Sequence, residues 1–391
     1  MILKSIIDTD LYKLTMQQAV VKLYPRAKVR YTFINRGKTE FPEGFAEELR
    51  KEVKSMENLA LLKDEKNFLL KQCYFLDPTY LDLLYGYRYD SSEIGIIQKG
   101  GELQISIEGY WHRTILWEVP LMALISELYF KMTGQQPITR SLREENNLNK
   151  ASQFKINSMS YADFGTRRRF SYANQDEVIN DFVSSTLHNT NFVGTSNVHF
   201  AHKYGLKAIG THAHEWFSFH AAKYGYKVAN VMAMEAWVYV FRGDLGIALP
   251  DTFTADVFFK QFDKKFSKLY DGIRHDSADP IEFTDKVVKH YLDMGIDPMS
   301  KTIVYSNNLN TKSAIEINDY TKSKIKRSYG IGTFFTNDVG VKPLNMVIKM
   351  TEAKPENEDW IPTIKISDDE GKHTGDSKEI EIAKHVLRIK P

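Results

Sequence analysis

The stretch GTHAHEWF, residues 210–217, places two histidines two positions apart and a glutamate directly after them. Histidine serves as a metal ligand, a general base or a nucleophile, so three kinds of site are open. His212 and His214 could bind a metal as an H-x-H pair, one of them could act as a base, or one could accept a phosphoryl group. A solvated or helix-capping histidine is the ordinary alternative. Glu215 and the preceding Gly-Thr step favour a functional site.

The order of the motifs weakens the metal interpretation. In barrel hydrolases an H-x-H pair lies on the first strand, whereas His212 and His214 lie in the middle of this chain. His275 and Asp276 could supply further ligands downstream, but an arginine and a second aspartate are their neighbours. The Gly-Thr step instead indicates a strand end, with Thr211 as the N-cap of a helix whose first turn carries His214. Backbone N–H groups at such a helix start favour anions.

Four other motifs carry residues that suit an anionic substrate. FGTRRRF at 164–170 has three consecutive arginines, which fit phosphates and carboxylates, although a solvated run is the alternative. GIRHDSADP at 272–280 and DTFTAD at 251–256 supply carboxylates that can hold a diphosphate through Mg²⁺, although turns and helix caps use the same residues. SYGIGTFFTND at 328–338 has small residues that let backbone N–H groups approach an anion. Together these motifs predict a substrate with several phosphates, accompanied by Mg²⁺.

These motifs need a scaffold that brings distant parts of the chain together. After about residue 150, short β-rich runs alternate with helical stretches, which is typical of a parallel sheet with crossover helices. Most runs end in a small residue followed by polar groups, as in a (β/α) barrel whose site lies at the carboxyl ends of its strands. The series comprises YADFGTRRR, NFVGTSN, LKAIGTHAHEW, DLGIALPDTF, LYDGIRHDSADP, KTIVYSNNLN, SYGIGTFFTND and LNMVIKMTEA.

The first third of the chain predicts a mixed α/β layer. Asp8 or Thr9 can cap a helix that begins near Leu11, and KVRYTFINR alternates apolar and polar residues as a strand does. EIGIIQKGGELQISIEG predicts a hairpin that turns at its two adjacent glycines, and WEVPLMALISELYFKMTG predicts a buried helix. We place an N-terminal domain at 1–140 and a barrel domain at 141–350, with the tail 351–391 packing on the first domain.

Composition limits the classes of function. The 391 residues carry a net charge of only +2, which excludes a strong basic field for nucleic acid. A single cysteine, Cys73, argues against a disulfide framework and is typical of a reducing compartment. The first residues are too charged for a signal peptide, and no apolar run approaches the roughly 18 residues of a membrane span. We therefore expect a cytoplasmic protein that binds neither nucleic acid nor a membrane.

Ordered motifs along nearly the whole chain closely resemble those of the nicotinate phosphoribosyltransferase family. The set in this order is highly specific, whereas any one motif alone is not. The matching stretches are DTDLYKLTMQQAV at 8–20, FGTRRR at 164–169, GTSNV at 194–198, GTHAHEWF at 210–217, DTFTADVFF at 251–259, GIRHDSADP at 272–280, GIDPMSKTIVYSNNL at 295–309, GIGTFFTND at 330–338 and KPLNMVIKM at 342–350.

The resemblance implies an activity and a fold. The reaction converts nicotinate and 5-phosphoribosyl 1-diphosphate to nicotinate mononucleotide and diphosphate, coupled to ATP hydrolysis, in NAD salvage. ATP is a co-substrate and Mg²⁺ accompanies the diphosphate; a relative that uses nicotinamide or quinolinate is the nearest alternative. The implied fold is α/β, an irregular (β/α) barrel of the type II phosphoribosyltransferase kind with an N-terminal α/β sandwich domain. In related enzymes the N-terminal tyrosine reaches a neighbouring subunit's site, which is compatible with a homodimer.

The resemblance also implies roles for individual residues. His214 matches the histidine that ATP phosphorylates, which leaves His212 as a polar loop residue and Glu215 as a candidate to orient the ring. The other implied site residues are Asp251 and Asp276 as carboxylates near the ribose, with Asp276 the candidate Mg²⁺ ligand; Tyr12, Thr211 and Arg274 as nicotinate contacts; and Gly332, Thr333, Arg167 and Asn307 as phosphoribosyl diphosphate contacts.

Two positions depart from the family's pattern. Ala278 stands where many relatives have glycine, and alanine adopts a left-handed backbone only at a cost in free energy. Asn307 stands where many relatives have aspartate. Its amide can bond a ribose hydroxyl but brings no charge.

Overall fold

Two β-sheets of different kinds organise the chain in the computed structural model, which describes residues 2–185, 191–369 and 372–389. The strands are β1 (Lys28–Ile34), β2 (Ile94–Lys99), β3 (Glu102–Tyr110), β4 (Tyr161–Asp163), β5 (Phe192–Thr195), β6 (Ile247–Ala248), β7 (Gly272–His275), β8 (Thr302–Tyr305), β9 (Lys326–Ile331), β10 (Val347–Lys354) and β11 (Ile361–Pro362).

Helices surround both sheets. They are α1 (Leu11–Leu23), α2 (Phe45–Ser55), α3 (Lys63–Gln72), α4 (Pro78–Gly86), α5 (Trp111–Thr114), α6 (Glu118–Met132), α7 (Arg140–Ile156), α8 (Tyr172–Ser185), α9 (Val198–Tyr204), α10 (His214–Tyr224), α11 (Ala229–Phe241), α12 (Ala255–Gln261), α13 (Lys264–Leu269), α14 (Pro280–Asp293), α15 (Thr311–Thr321), α16 (Thr333–Thr336) and α17 (Ser377–Leu387). None of the described helices is long and apolar enough to cross a membrane.

The first sheet is antiparallel, in the order β11-β10-β1-β3-β2. Val29, Tyr31 and Phe33 of β1 are buried, as the alternating pattern predicts, and β2 and β3 form the predicted hairpin. The prediction that LNMVIKMTEA continues the parallel series is wrong, because β10 pairs antiparallel with β1. A domain boundary at residue 350 would therefore cut a strand, and the C-terminal part of the chain joins the first sheet through β10 and β11.

The second sheet is parallel, in the order β5-β4-β9-β8-β7-β6. Helices connect its strands, such as α14 between β7 and β8 and α15 between β8 and β9, which confirms the predicted α/β class. A parallel bridge between Thr195 and Ala208 extends the ladder beyond β5, but among the described residues the pairing does not join the two edges of the sheet. Because the strands are parallel, their carboxyl ends and the motifs that follow them lie along one side.

Two helix starts differ from the sequence-based prediction. The N-cap of α1 is Asp10, because the carboxylate of Asp8 is buried and accepts hydrogen bonds from Arg169 at 2.8 and 2.9 Å. The N-cap of α10 is Ala213 rather than Thr211, whose hydroxyl donates to a neighbouring carbonyl at 3.3 Å. In both cases the side chain that the local sequence offers as a cap is hydrogen-bonded to another group.

A shared apolar core joins the two sheets. Tyr31 of β1, Trp111, Trp216 and Tyr329 of β9 are almost fully buried members of one cluster. Burial of aromatic side chains of this size makes a large contribution to packing. This core fixes α1 and β10 against the carboxyl ends of the parallel strands, where the charged motifs lie.

Ala278 adopts the left-handed backbone that glycine would favour, with φ of 67°. Its N–H donates to Oδ1 of Asp369 at 3.0 Å, and its carbonyl lies 3.1 Å from Nε2 of His275. Left-handed geometry costs an L-residue roughly 1–2 kcal/mol. Glycine avoids this cost, but it lowers the free energy of unfolding by up to about 1 kcal/mol because it gives the unfolded chain more conformational freedom. We therefore expect Ala278→Gly to keep the loop's shape and raise the free energy of unfolding by about 0.5 kcal/mol.

Denaturant unfolding of the variant and the parent chain measures this difference. Ala222→Gly is the matched control because it makes the same change inside helix α10, where it should lower the free energy of unfolding by about 1 kcal/mol. Equal losses in the two variants would show that the left-handed position stores no strain.

Candidate active site

A cavity of about 1440 Å³ lies where the carboxyl ends of the parallel strands meet the antiparallel sheet. It exceeds the roughly 300–1,000 Å³ of an ordinary ligand pocket, which suits more than one substrate. The cavity wall brings together every predicted site residue except Asp251, namely Tyr12, Arg167, Thr211, His214, Arg274, Asp276, Asn307, Gly332 and Thr333. Residues far apart in sequence therefore form one site.

His214 is the first residue of α10 and has two carboxylate neighbours. Its Nε2 lies 2.9 Å from Oδ1 of Asp251 and 3.7 Å from Oδ2 of Asp276. The other oxygen of Asp251 accepts bonds from Ser277 at 2.7 Å and Lys365 at 2.8 Å. Asp251 thus lies behind the histidine with both oxygens engaged, so its geometry orients the ring. A bond from Nε2–H to Asp251 leaves Nδ1 as the nitrogen with a free lone pair.

The environment keeps His214 neutral. Burial lowers the pKa of His214 to about 4, and Lys365 acts in the same direction against the attraction of Asp251 and Asp276. Burial would by itself raise the pKa of Asp251, but His214 and Lys365 hold it well below its ordinary value. A neutral imidazole beside a permanent carboxylate is the form of histidine that can attack an electrophile.

Arg274 and Asp276 form an ion pair where β7 ends. Nη2 of Arg274 lies 2.9 Å from Oδ1 of Asp276, and Ser306 receives a bond from Nε of Arg274 at 2.8 Å. Burial would raise the pKa of Asp276, but Arg274 and His214 keep it far below the ordinary value. Since Oδ1 is engaged by Arg274 and Ser306, Oδ2 is the oxygen of Asp276 that can contact a cation or substrate.

The donor set fits Mg²⁺ bound mainly by a substrate. His214, Asp251 and Asp276 each offer one ligand atom, and these atoms lie within 4.8 Å of one another. Both oxygens of Asp251 already have protein partners, which leaves Asp276 as the carboxylate donor. Mg²⁺ prefers oxygen ligands and usually takes one or two carboxylates together with phosphate oxygens. The residues therefore fit a Mg²⁺ ion that arrives with a diphosphate.

The other polar residues of GTHAHEWF have separate surroundings. The ring of His212 is buried against two aromatic rings, and its nitrogens have no hydrogen-bond partner in the described part of the chain. Glu215 accepts a bond from Lys13 at 2.9 Å. The two histidines therefore do not converge on one ion, and Asp251 rather than Glu215 is the carboxylate partner of the His214 ring.

Tyr12 and Thr211 lie side by side because Gly210 permits a close backbone approach. A Cβ atom at Gly210 would lie only 2.9 Å from the backbone nitrogen of Tyr12. The hydroxyl of Thr15 donates to the carbonyl of Thr211 at 3.3 Å and holds the two segments together. Tyr12 thus lines the cavity of its own chain.

The three arginines of FGTRRRF have different environments. Arg169 is fully buried and paired with Asp8, so it is a structural residue. Arg167 and Arg168 line the cavity, and Nη1 of Arg167 lies 3.6 Å from Oε1 of Glu118. The sequence motif alone did not distinguish the buried arginine from the two that can meet an anion.

Three lysines from the C-terminal part of the chain also line the cavity, and none of them was among the predicted site residues. Lys365 pairs with Asp251, and Lys372 donates to Oδ1 of Asn307 at 2.8 Å. Lys349 lies on β10, and no carboxylate of the described residues forms an ion pair with it. The sequence signals are the motif KPLNMVIKM, which contains Lys349, and the apolar alternation around Lys349 and Lys365, and neither shows that these lysines face the cavity.

Two family models match the chain and together cover most of it. The model of the nicotinate phosphoribosyltransferase (NAPRTase) family matches residues 159–390, and the model of the NAPRTase N-terminal domain matches residues 7–126. The chain belongs to the nicotinate phosphoribosyltransferase family. Members of this family are enzymes, and the cavity described above lies between the segments that the two models match.

Relatives of the nicotinate phosphoribosyltransferase family agree over the full length. A nicotinate phosphoribosyltransferase of Chromohalobacter salexigens is 52% identical over 389 residues, which is 99% of each chain. The crystal structure of nicotinate phosphoribosyltransferase from Porphyromonas gingivalis has a TM-score of 0.96 at 44% identity and covers 99% of this chain and 100% of its own. The enzyme from Vibrio cholerae has a TM-score of 0.92 at 32% identity and covers 100% of this chain and 95% of its own.

Proposed function

We propose that this chain transfers a phosphoribosyl group from 5-phosphoribosyl 1-diphosphate to nicotinate and so supplies nicotinate mononucleotide for NAD salvage. A bond forms between the pyridine nitrogen and C1′ of the ribose, and the bond from C1′ to the diphosphate oxygen breaks. One observation carries the proposal: His214, the Arg274–Asp276 pair and the cationic groups of Arg167 and Lys349 line a single cavity, and Asp251 lies behind His214. The relatives that match over the full length are named nicotinate phosphoribosyltransferase.

The charges of the cavity suit this chemistry. The ribose becomes cationic as the diphosphate leaves, and the carboxylate of Asp276 can stabilise that charge. Arg167 and Lys349 can stabilise the leaving diphosphate, which Gly332, Thr333 and Asn307 can help to position. Mg²⁺ bound to the diphosphate, with Asp276 as protein ligand, would neutralise part of its charge.

Nicotinate is an anion, which explains a base pocket with an arginine. A guanidinium group binds a carboxylate through two parallel hydrogen bonds, whereas the neutral amide of nicotinamide gains less from it. Arg274 is the proposed partner, with Tyr12 and Thr211 completing the pocket. Side-by-side assays with nicotinate, nicotinamide and quinolinate test the substrate, and preference for either of the last two would overturn the proposal.

The coupling to ATP runs through phosphorylation of His214. In this proposal the histidine nitrogen attacks the γ-phosphate of ATP, ADP leaves, and water later releases the phosphate. The phosphoryl group adds charge beside Asp276 and shifts the enzyme toward a state that binds substrate more tightly. Mass spectrometry after incubation with ATP should find phosphate on His214 that phosphoribosyl diphosphate and nicotinate discharge.

The finer architecture is also part of the proposal. We infer that the parallel sheet belongs to an irregular (β/α) barrel of the type II phosphoribosyltransferase kind and that the antiparallel sheet forms the N-terminal domain. The bridge that extends the parallel ladder beyond β5 to Ala208 supports the barrel. A homodimer and a cytoplasmic location stay predictions.

Tyr12 should act within its own chain even if the protein is a dimer. We expect Tyr12→Ala and His214→Ala chains, co-expressed with different tags and purified through both, to show no recovery of ATP-stimulated transfer. The reason is that the start of α1 already lies against Thr211 of the same chain. Recovery toward half of the parent activity would instead place each tyrosine in a neighbouring subunit's site.

Lys349 should give the reaction an alkaline limit. Burial lowers its pKa to about 8, with Arg167 and Lys365 in the same direction and Glu118 and Asp276 opposing. Because this value lies below that of an ordinary lysine, the ammonium is lost as the pH rises through about 8. We expect kcat/KM for phosphoribosyl diphosphate to fall above that pH. In Lys349→Met, kcat/KM should be roughly tenfold lower and should not change with pH in this range. The same fall in the variant would assign it to another group.

A further inference from the structure

Lys13 is a fully buried lysine that the proposed chemistry does not use. It lies on α1 directly after Tyr12, and its side chain has no exposure. Its ammonium group lies 2.5 Å from Oε2 of Glu118 and 2.9 Å from Oε2 of Glu215. A buried ammonium group is costly unless carboxylates compensate it, so this placement is strongly specified by its partners.

Glu118 connects this buried lysine to the cavity. The hydroxyl of Tyr12 donates to Oε2 of Glu118 at 3.4 Å, and Nη1 of Arg167 lies 3.6 Å from Oε1. Burial would raise the pKa of Glu118, but Lys13 and Arg167 lower it to about 2, so the carboxylate stays charged. One oxygen therefore faces Lys13, and the other faces Arg167.

Three elements converge at this carboxylate. Tyr12 and Lys13 come from α1, Glu118 is the first residue of α6, and Arg167 follows strand β4 of the parallel sheet. Tyr12, Glu118 and Arg167 line the cavity, whereas Lys13 lies behind them. Lys13 can therefore influence a substrate only through the groups in front of it.

We propose that Glu118 and Lys13 act as a pair of positioning residues for nicotinate. Glu118 holds the heads of Tyr12 and Arg167 at the edge of the base pocket, and Lys13 fixes Glu118 from behind and balances its charge. This inference rests on the proposed function, because its effect is read through nicotinate binding. It assigns the Lys13–Glu118 ion pair a role in nicotinate affinity that is separate from the proposed phosphorylation of His214.

Steady-state kinetics of Glu118→Gln provide the main test. The substitution keeps the shape of the side chain and removes its charge, so Arg167 and Tyr12 lose their charged acceptor. We expect the KM for nicotinate to rise roughly tenfold, with smaller changes in kcat and in the KM for phosphoribosyl diphosphate, because Arg167 also faces the diphosphate. Glu118→Asp, which keeps the charge, should recover part of the nicotinate affinity.

A double-mutant cycle tests whether the two residues act together. Lys13→Met should also raise the KM for nicotinate, but Lys13→Met/Glu118→Gln should be no worse than Glu118→Gln alone, because Lys13 acts through Glu118. Both Lys13 variants also remove the cation that pairs with Glu215, so Glu118→Gln and Glu118→Asp, which keep Lys13, decide the test if Lys13→Met does not fold. Glu65→Gln is the matched control, since Glu65 is buried and hydrogen-bonded outside the cavity.

The outcomes separate this inference from the proposed function. An unchanged KM for nicotinate in Glu118→Gln, an equal rise in Glu65→Gln, or additive effects in the cycle would each overturn the positioning pair. A change confined to the KM for phosphoribosyl diphosphate would overturn it as well. Absence of nicotinate transfer by the parent chain would instead remove the proposed function.

Discussion

Replacing His214 by alanine should abolish the stimulation of transfer by ATP and leave a slow, ATP-independent reaction. The neutral imidazole, held by Asp251 at 2.9 Å, is the group that can take a phosphoryl from ATP. Without it no phosphohistidine forms, so the ratio of rates with and without ATP should fall to about one. The residues proposed to bind both substrates remain, which is why basal transfer persists.

The experiment measures the rate at saturating nicotinate and phosphoribosyl diphosphate, with and without ATP, and protein-bound phosphate by mass spectrometry. His212→Ala is the matched control, because His212 is two residues away but does not line the cavity. It should keep both the stimulation and the phosphate. Full ATP stimulation in His214→Ala would show that the coupling runs through another residue.

Arg274→Met should lower kcat/KM for nicotinate by roughly a hundredfold, because a charge-assisted bidentate pair with the substrate carboxylate is lost. The arginine is fixed for this task by Ser306 at 2.8 Å and Asp276 at 2.9 Å, so little freedom is lost on binding. The loss for nicotinamide should be much smaller, since it has no carboxylate. Selectivity between the two bases should therefore shrink.

Competition between nicotinate and nicotinamide in one assay measures this selectivity directly. Arg274→Lys is the informative companion variant, because it keeps the charge but not the planar fork and should fall between the parent and Arg274→Met. Equal losses for both bases would mean that Arg274 acts only by holding Asp276 in place. The nicotinate pocket would then have to lie around another cation.

The local patterns predicted those parts of the fold that depend on short-range periodicity. The alternation of KVRYTFINR and the paired glycines of the hairpin correspond to strands at those positions. The strand predicted to end at Gly210 is wrong, because that run forms only a single bridge at Ala208. Where the side chain of a predicted cap has a distant partner, as Asp8 has in Arg169, the local prediction failed. The same reason explains LNMVIKMTEA: its pattern indicates a strand but not the sheet that it joins.

The sequence by itself determined the family and the order of the motifs, because motif identity is carried by residue types along the chain. Tertiary structure alone decided which neighbours those residues have. Asp251 is the partner of His214, Glu215 pairs with Lys13, and three lysines of the C-terminal part line the cavity. These outcomes depend on burial and on ion pairs between residues far apart in the chain, and no local pattern encodes such a pairing.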